Sequence, residues 1–86
     1  MEESNIQCTV LFFAAAAEAT GERELQLSLP FGSTVADAFE ELVRSCSSLQ
    51  KLQQSCALAV DEKIVPMDTS LTDGCTIAIL PPVSGG

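Results

Sequence analysis

Residues 71–80 read Leu71-Thr72-Asp73-Gly74-Cys75-Thr76-Ile77-Ala78-Ile79-Leu80. Asp73-Gly74 is a tight-turn pair. After it Cys75, Ile77 and Ile79 alternate with Thr76, Ala78 and Leu80, the period of a β-strand. An inner face this apolar needs cover, so the strand does not merely extend a sheet edge. It is expected in the sheet centre, beside the first strand of the chain. Leu80 then points to the opposite face, at the root of whatever follows.

That first strand reads as Ile6 to Phe13. Ile6, Cys8, Val10 and Phe12 take one face, and Gln7 and Thr9 the other. Leu11 and Phe13 are apolar on the second face as well, which predicts a central strand covered on both sides. Ala14–Arg23 reads as a loop with room for one helical turn, stopped by Thr20-Gly21-Glu22. Glu24 to Leu29 alternates Leu25, Leu27 and Leu29 with Gln26 and Ser28, a second strand pairing with the first as a hairpin. Thr34 is a natural helix N-cap, with Asp37 at the capping-box position. Val35, Ala38, Phe39, Leu42, Val43 and Cys46 follow as one apolar helical stripe, with Glu40, Glu41 and Arg44 opposite. Three serines within residues 45–48 end the helix, and Leu49 to Ser55 leaves room for a short turn. Cys56–Val60 is a short strand, Asp61-Glu62-Lys63 a polar turn, and Ile64-Val65 a short strand or edge broken by Pro66 and Asp68. The order is strand, strand, helix, strand, short strand, strand. The expected class is α+β, a mixed sheet of four to five strands packed on one main helix.

Composition narrows the function. The chain has 86 residues, enough for one small core and no second domain. It carries 12 Asp+Glu against 4 Lys+Arg, a net charge of −8, and no His. No imidazole can act as base or metal ligand, and phosphate backbones would repel the body, so no nucleic-acid partner is expected. A hydrophobic content of 47% is too high for an acidic disordered tail. The apolar run Val10 to Ala17 is too short to span a membrane. Without an apolar signal core or a basic transit sequence, the expected location is the cytosol.

Cys8, Cys46, Cys56 and Cys75 lie among apolar or β-type neighbours and form no C-x-x-C pair. Reduced, buried or half-buried thiols are expected. Zinc is disfavoured because no close ligand pair and no His is present. A disulfide would require an oxidising compartment.

After Leu80 the character changes to Pro81-Pro82-Val83-Ser84-Gly85-Gly86. The domain is therefore read as residues 1–80, with 81–86 an extended flexible tail. Two prolines favour a polyproline-like path, six residues reach roughly 20 Å, and the two glycines pass where a Cβ would clash. The segment reads as a thin probe that carries a terminal carboxylate into another protein's channel, against the plainer reading of a frayed end. Leu80 and Ile64 would form an apolar contact surface at its root. Ser84 has no base to activate it as a nucleophile.

Leu11-Phe12-Phe13-Ala14, Ala17-Glu18, Gly21, Leu71-Thr72-Asp73-Gly74 and Pro81-Pro82-Val83-Ser84-Gly85-Gly86 together resemble the MoaD family, the small subunits of molybdopterin synthase. The resemblance spans almost the whole chain and is most specific at its C-terminal end. It implies a ubiquitin-like β-grasp fold and a sulfur carrier. Gly86 would be adenylated by an E1-like adenylyltransferase/sulfurtransferase using ATP, a transient AMP adduct, then converted to a thiocarboxylate. No cofactor would be bound permanently. The tail, Pro81 to Gly86, would insert into the large synthase subunit and give its sulfur to the molybdopterin dithiolene. Two small subunits would sit on a large-subunit dimer, with Leu80 and Ile64 in partner contact. Many bacterial members carry Arg at the position of Ala17, so any ion pair made through that Arg is missing. A ubiquitin-related modifier joined to target lysines through Gly86, or a ThiS-like carrier for thiazole synthesis, would use the same ending. The −8 charge on the body is expected to steer it towards basic surfaces around a partner's channel.

Overall fold

The computed structural model describes residues 5–52 and 55–81. The elements are β1 (Asn5–Phe12), α1 (Ala14–Thr20), β2 (Glu24–Pro30), α2 (Val35–Ser45), a 3-10 helix (Ser47–Leu52), β3 (Ala57–Val60), β4 (Lys63–Ile64) and β5 (Thr76–Leu80). The sheet order is β2-β1-β5-β3-β4. β1 and β5 run parallel at its centre, with Val10 opposite Ile77 and Phe12 opposite Ile79. The other pairs are antiparallel. This is the mixed five-stranded sheet of a β-grasp fold, with the last strand beside the first as the Cys75/Ile77/Ile79 alternation requires.

One face of the sheet holds the core. Ile6, Cys8, Val10 and Phe12 from β1 meet Cys75, Ile77 and Ile79, and Val35, Ala38, Phe39 and Leu42 of α2 cover them. The helix starts where the sequence places it. The Thr34 hydroxyl accepts from the Asp37 N–H, and the Thr34 N–H donates to the Asp37 carboxylate at 2.9 Å, a complete capping box. The next two donors are satisfied by a distant loop: Val35 N–H donates to the Thr69 carbonyl and Ala36 N–H to that of Met67. The segment before β5 thus clamps the helix start. It is also tied to the head of β1, because the Gln7 N–H donates to the Asp73 carboxylate and the Gly74 N–H to the Gln7 carbonyl. Gly74 has φ of +85°, which only glycine adopts without strain.

Two expectations need correction. Ala14–Arg23 is more than a loop, because Ala14–Thr20 forms a seven-residue α-helix. Alanine is the best helix former, Ala16 is fully buried against the core, and Gly21 ends the helix in the left-handed conformation with its N–H on the Ala17 carbonyl. The helix thus ends at the expected stop, Thr20-Gly21, after about two turns. The second correction concerns β1. Its outer face is not covered: Phe13 is 46% exposed and Leu11 half-buried. The helices supply their buried residues to the inner core only, so the described chain covers the sheet on one side.

Candidate functional site

The open side of the sheet forms a groove of about 630 Å³. Leu11 and Phe13 line it from the end of β1, Ala78 and Leu80 from β5, and Ala59 and Ile64 from β3 and β4. The alternation of β5 puts Leu80 here, because Ile77 and Ile79 point the other way into the core. Register brings the rest together: Leu11 lies opposite Ala78, Ala78 opposite Ala59, and Ala59 opposite Ile64. One row of outward side chains therefore crosses four of the five strands. Small alanines at its centre leave a shallow floor between the larger Leu80, Ile64 and Phe13.

The structure brings Leu80 and Ile64 onto one surface, with Ile64 70% exposed and Leu80 half-buried. Leu11, Phe13, Ala59 and Ala78 complete it. Leu11 and Phe13 were visible in the sequence as second-face apolar residues, but that pattern does not say whether the chain or a partner covers them.

One rim is acidic. Asp61 and Glu62 form the β3–β4 turn and line the groove. The Asp61 carboxylate accepts from the Thr76 N–H at 3.0 Å, and the Asp61 N–H donates back to the Thr76 carbonyl at 2.9 Å, which fixes the rim to β5. Both turn residues have positive φ, +50° and +75°, the geometry of a two-residue hairpin turn that favours Asn and Gly.

β5 ends at Leu80, at the edge of the groove, and Pro81 follows half-buried. The remaining predicted tail positions, Pro82, Val83, Ser84, Gly85 and Gly86, lie outside the described residues.

Residues 10–86 match the ThiS family. The chain belongs to the ThiS family. It is similar to the molybdopterin synthase sulfur carrier subunit of Arabidopsis thaliana, 35% identical over 99% of this chain and 88% of the relative. By homology this ThiS-family chain groups with molybdopterin synthase sulfur carrier subunits. Among solved structures it resembles small archaeal modifier protein 1 from Methanosarcina acetivorans, with TM-score 0.82 and 27% identity over 96% of this chain and 99% of that one. It has the fold of a chain in the complex of subunits 1 and 2 of molybdopterin-converting factor from Helicobacter pylori, with TM-score 0.66 and 23% identity over 94% and 100% of the two chains. The β-grasp fold expected from the resemblance is the fold found.

The side chains of this ThiS-family body offer little chemistry of their own. Cys8 and Cys75 are buried, and Cys46 and Cys56 half-buried, all as free thiols. The Cys8 thiol is pushed up to about 12, by burial first, then by its hydrogen bond with Cys75 and by nearby negative charge. Burial also raises Cys56. Both stay protonated at neutral pH and are poor nucleophiles. Among the described residues no group of Cys, Asp and Glu is placed to hold a metal ion, and no helix is long and apolar enough to cross a membrane.

Proposed function

We propose that this chain carries sulfur on its own C-terminus, as the small subunit of molybdopterin synthase. The supporting observation is the position of the open apolar groove. The strand that lines it with Ala78 and Leu80 runs directly into Pro81, so docking this face on a partner aims the following residues at that partner.

A carboxylate is a poor electrophile. An E1-like enzyme adenylates Gly86 with ATP, which installs AMP as a leaving group and releases pyrophosphate. A sulfur donor then displaces AMP, leaving a thiocarboxylate. Its sulfur is a soft nucleophile, as thiolates are, and it is given to the dithiolene of molybdopterin inside the large subunit. Pro81, Pro82, Val83, Ser84 and Gly85 form the inserted segment. Catalytic side chains come from the partners, because the tail offers no acid or base. Two carriers sit on a large-subunit dimer in the cytosol. The known complex of subunits 1 and 2 of a molybdopterin-converting factor contains a chain of the same fold, which supports a heteromeric partner. The family match running to residue 86 supports a role for the terminal glycines.

The likeness to a small archaeal modifier protein favours one alternative, a modifier joined to target amines through Gly86. Intact mass spectrometry separates the two. The chain is incubated with ATP, the activating enzyme and a sulfur donor. Replacement of one oxygen by sulfur on Gly86, without adducts to other proteins, is the expected result. Isopeptide adducts in its place would support the modifier, and an unchanged mass would defeat both.

A further inference from the structure

Two core cysteines 67 residues apart in sequence meet at the centre of the sheet. The Cys75 thiol donates to the Cys8 sulfur with the two atoms 3.2 Å apart. Both residues are buried, at 1% and 2% exposure. Their placement follows from the parallel pairing of β1 and β5. Thr9 lies opposite Thr76, and the Thr9 N–H donates to the Cys75 carbonyl at 3.0 Å, so the ladder continues one residue back to Cys8 and Cys75.

We propose that Cys8 and Cys75 form a specific disulfide when the chain is oxidised by a small-molecule disulfide such as oxidised glutathione. Neighbouring strands lie about 4.8 Å apart, inside the Cα range of about 4.4–6.8 Å that a disulfide spans. The sulfurs are on the same side of the sheet, and closing to the bonded length of about 2.05 Å is a local movement. Cys46 and Cys56 have no comparable sulfur contact among the described residues.

The step balances as thiol–disulfide exchange. The thiolate of one cysteine, exposed by transient opening, attacks a glutathione sulfur and expels glutathione as its thiolate. The second cysteine then attacks the protein-bound sulfur and expels the other glutathione. The chain loses two protons and two electrons, and oxidised glutathione gains both as two reduced thiols. Burial and the high Cys8 pKa keep the native pair unreactive, so the reaction passes through the opened chain.

The bond joins β1 to β5, the strands that present Leu11, Phe13, Ala78 and Leu80, yet it lies on the opposite, inner face. It therefore locks the strand pair from which the tail departs and leaves the groove unchanged. The wider consequence is a carrier that oxidation stiffens without blocking its docking face.

The test uses the full chain, held with oxidised glutathione in urea near its unfolding midpoint and then returned to buffer. Expected are the loss of two hydrogens in the intact mass and a single cross-linked peptide pair containing Cys8 and Cys75. The melting temperature should rise on the order of 10 °C, because a loop of this length is closed in the unfolded state. The Cys46→Ser, Cys56→Ser double variant keeps both core thiols and should give the same mass loss and the same rise. Cross-links through Cys46 or Cys56, glutathione left attached at Cys8 or Cys75, an unoxidised chain, or an oxidised chain with an unchanged or lower melting temperature would each overturn the proposal.

Discussion

Ile64→Ala separates docking from folding. Ile64 sits on a two-residue edge strand and is 70% exposed. Fully burying an isoleucine side chain is worth about 1.5–3 kcal/mol. With 70% still open to solvent, a partner covering the groove gains about 1–2 kcal/mol from this residue. Truncation to alanine should therefore weaken binding about 5- to 30-fold. The folded chain loses little, since the side chain contributes little to its own core, and stability should fall by less than about 1 kcal/mol. Calorimetric titration against the large synthase subunit gives the affinity, and urea unfolding of the free variant gives the stability. Binding within twofold of the parent would remove Ile64 from the interface. A stability loss as large as the binding loss would mean that the groove is part of the fold's own packing.

Two further outcomes follow from local geometry. Glu62 holds φ of +75° in the β3–β4 turn; Glu62→Gly relieves that strain and should stabilise the chain by about 1 kcal/mol, read as a rise in thermal midpoint. Cys8 ionises near pH 9 when unfolded and only near 12 in the native core, so above pH 9 the unfolded state releases a proton that the native state keeps. Stability is thus fully present below pH 9 and should fall as pH rises towards 12. Urea melts across that window should show this slope flattened in Cys8→Ala.

The elements legible in the sequence were those with a local physical signature. Thr34 and Asp37 announce α2 because a capping box is made within four residues. The alternation of Cys75, Ile77 and Ile79 gives β5 its faces, and its apolar inner face implies a central place beside β1. α1 was missed because an alanine run has no amphipathic contrast. Only Ala16 shows which side is buried, and that depends on the sheet beneath it. The groove was half legible. Leu80 and Ile64 could be picked out, but an apolar second face on β1 looks the same whether the chain or a partner covers it. The meeting of Cys8 with Cys75 was hidden because it depends on the register of a parallel pair 67 residues apart.

The most direct test of the carrier function is a single-turnover reaction. Thiocarboxylated chain is mixed with the large subunit and the sulfur-free pterin precursor, with no other sulfur source present. Dithiolene should form in proportion to the carrier added, while Gly86 returns to a plain carboxylate. Absence of product, or product that appears while the thiocarboxylate stays intact, would contradict the account.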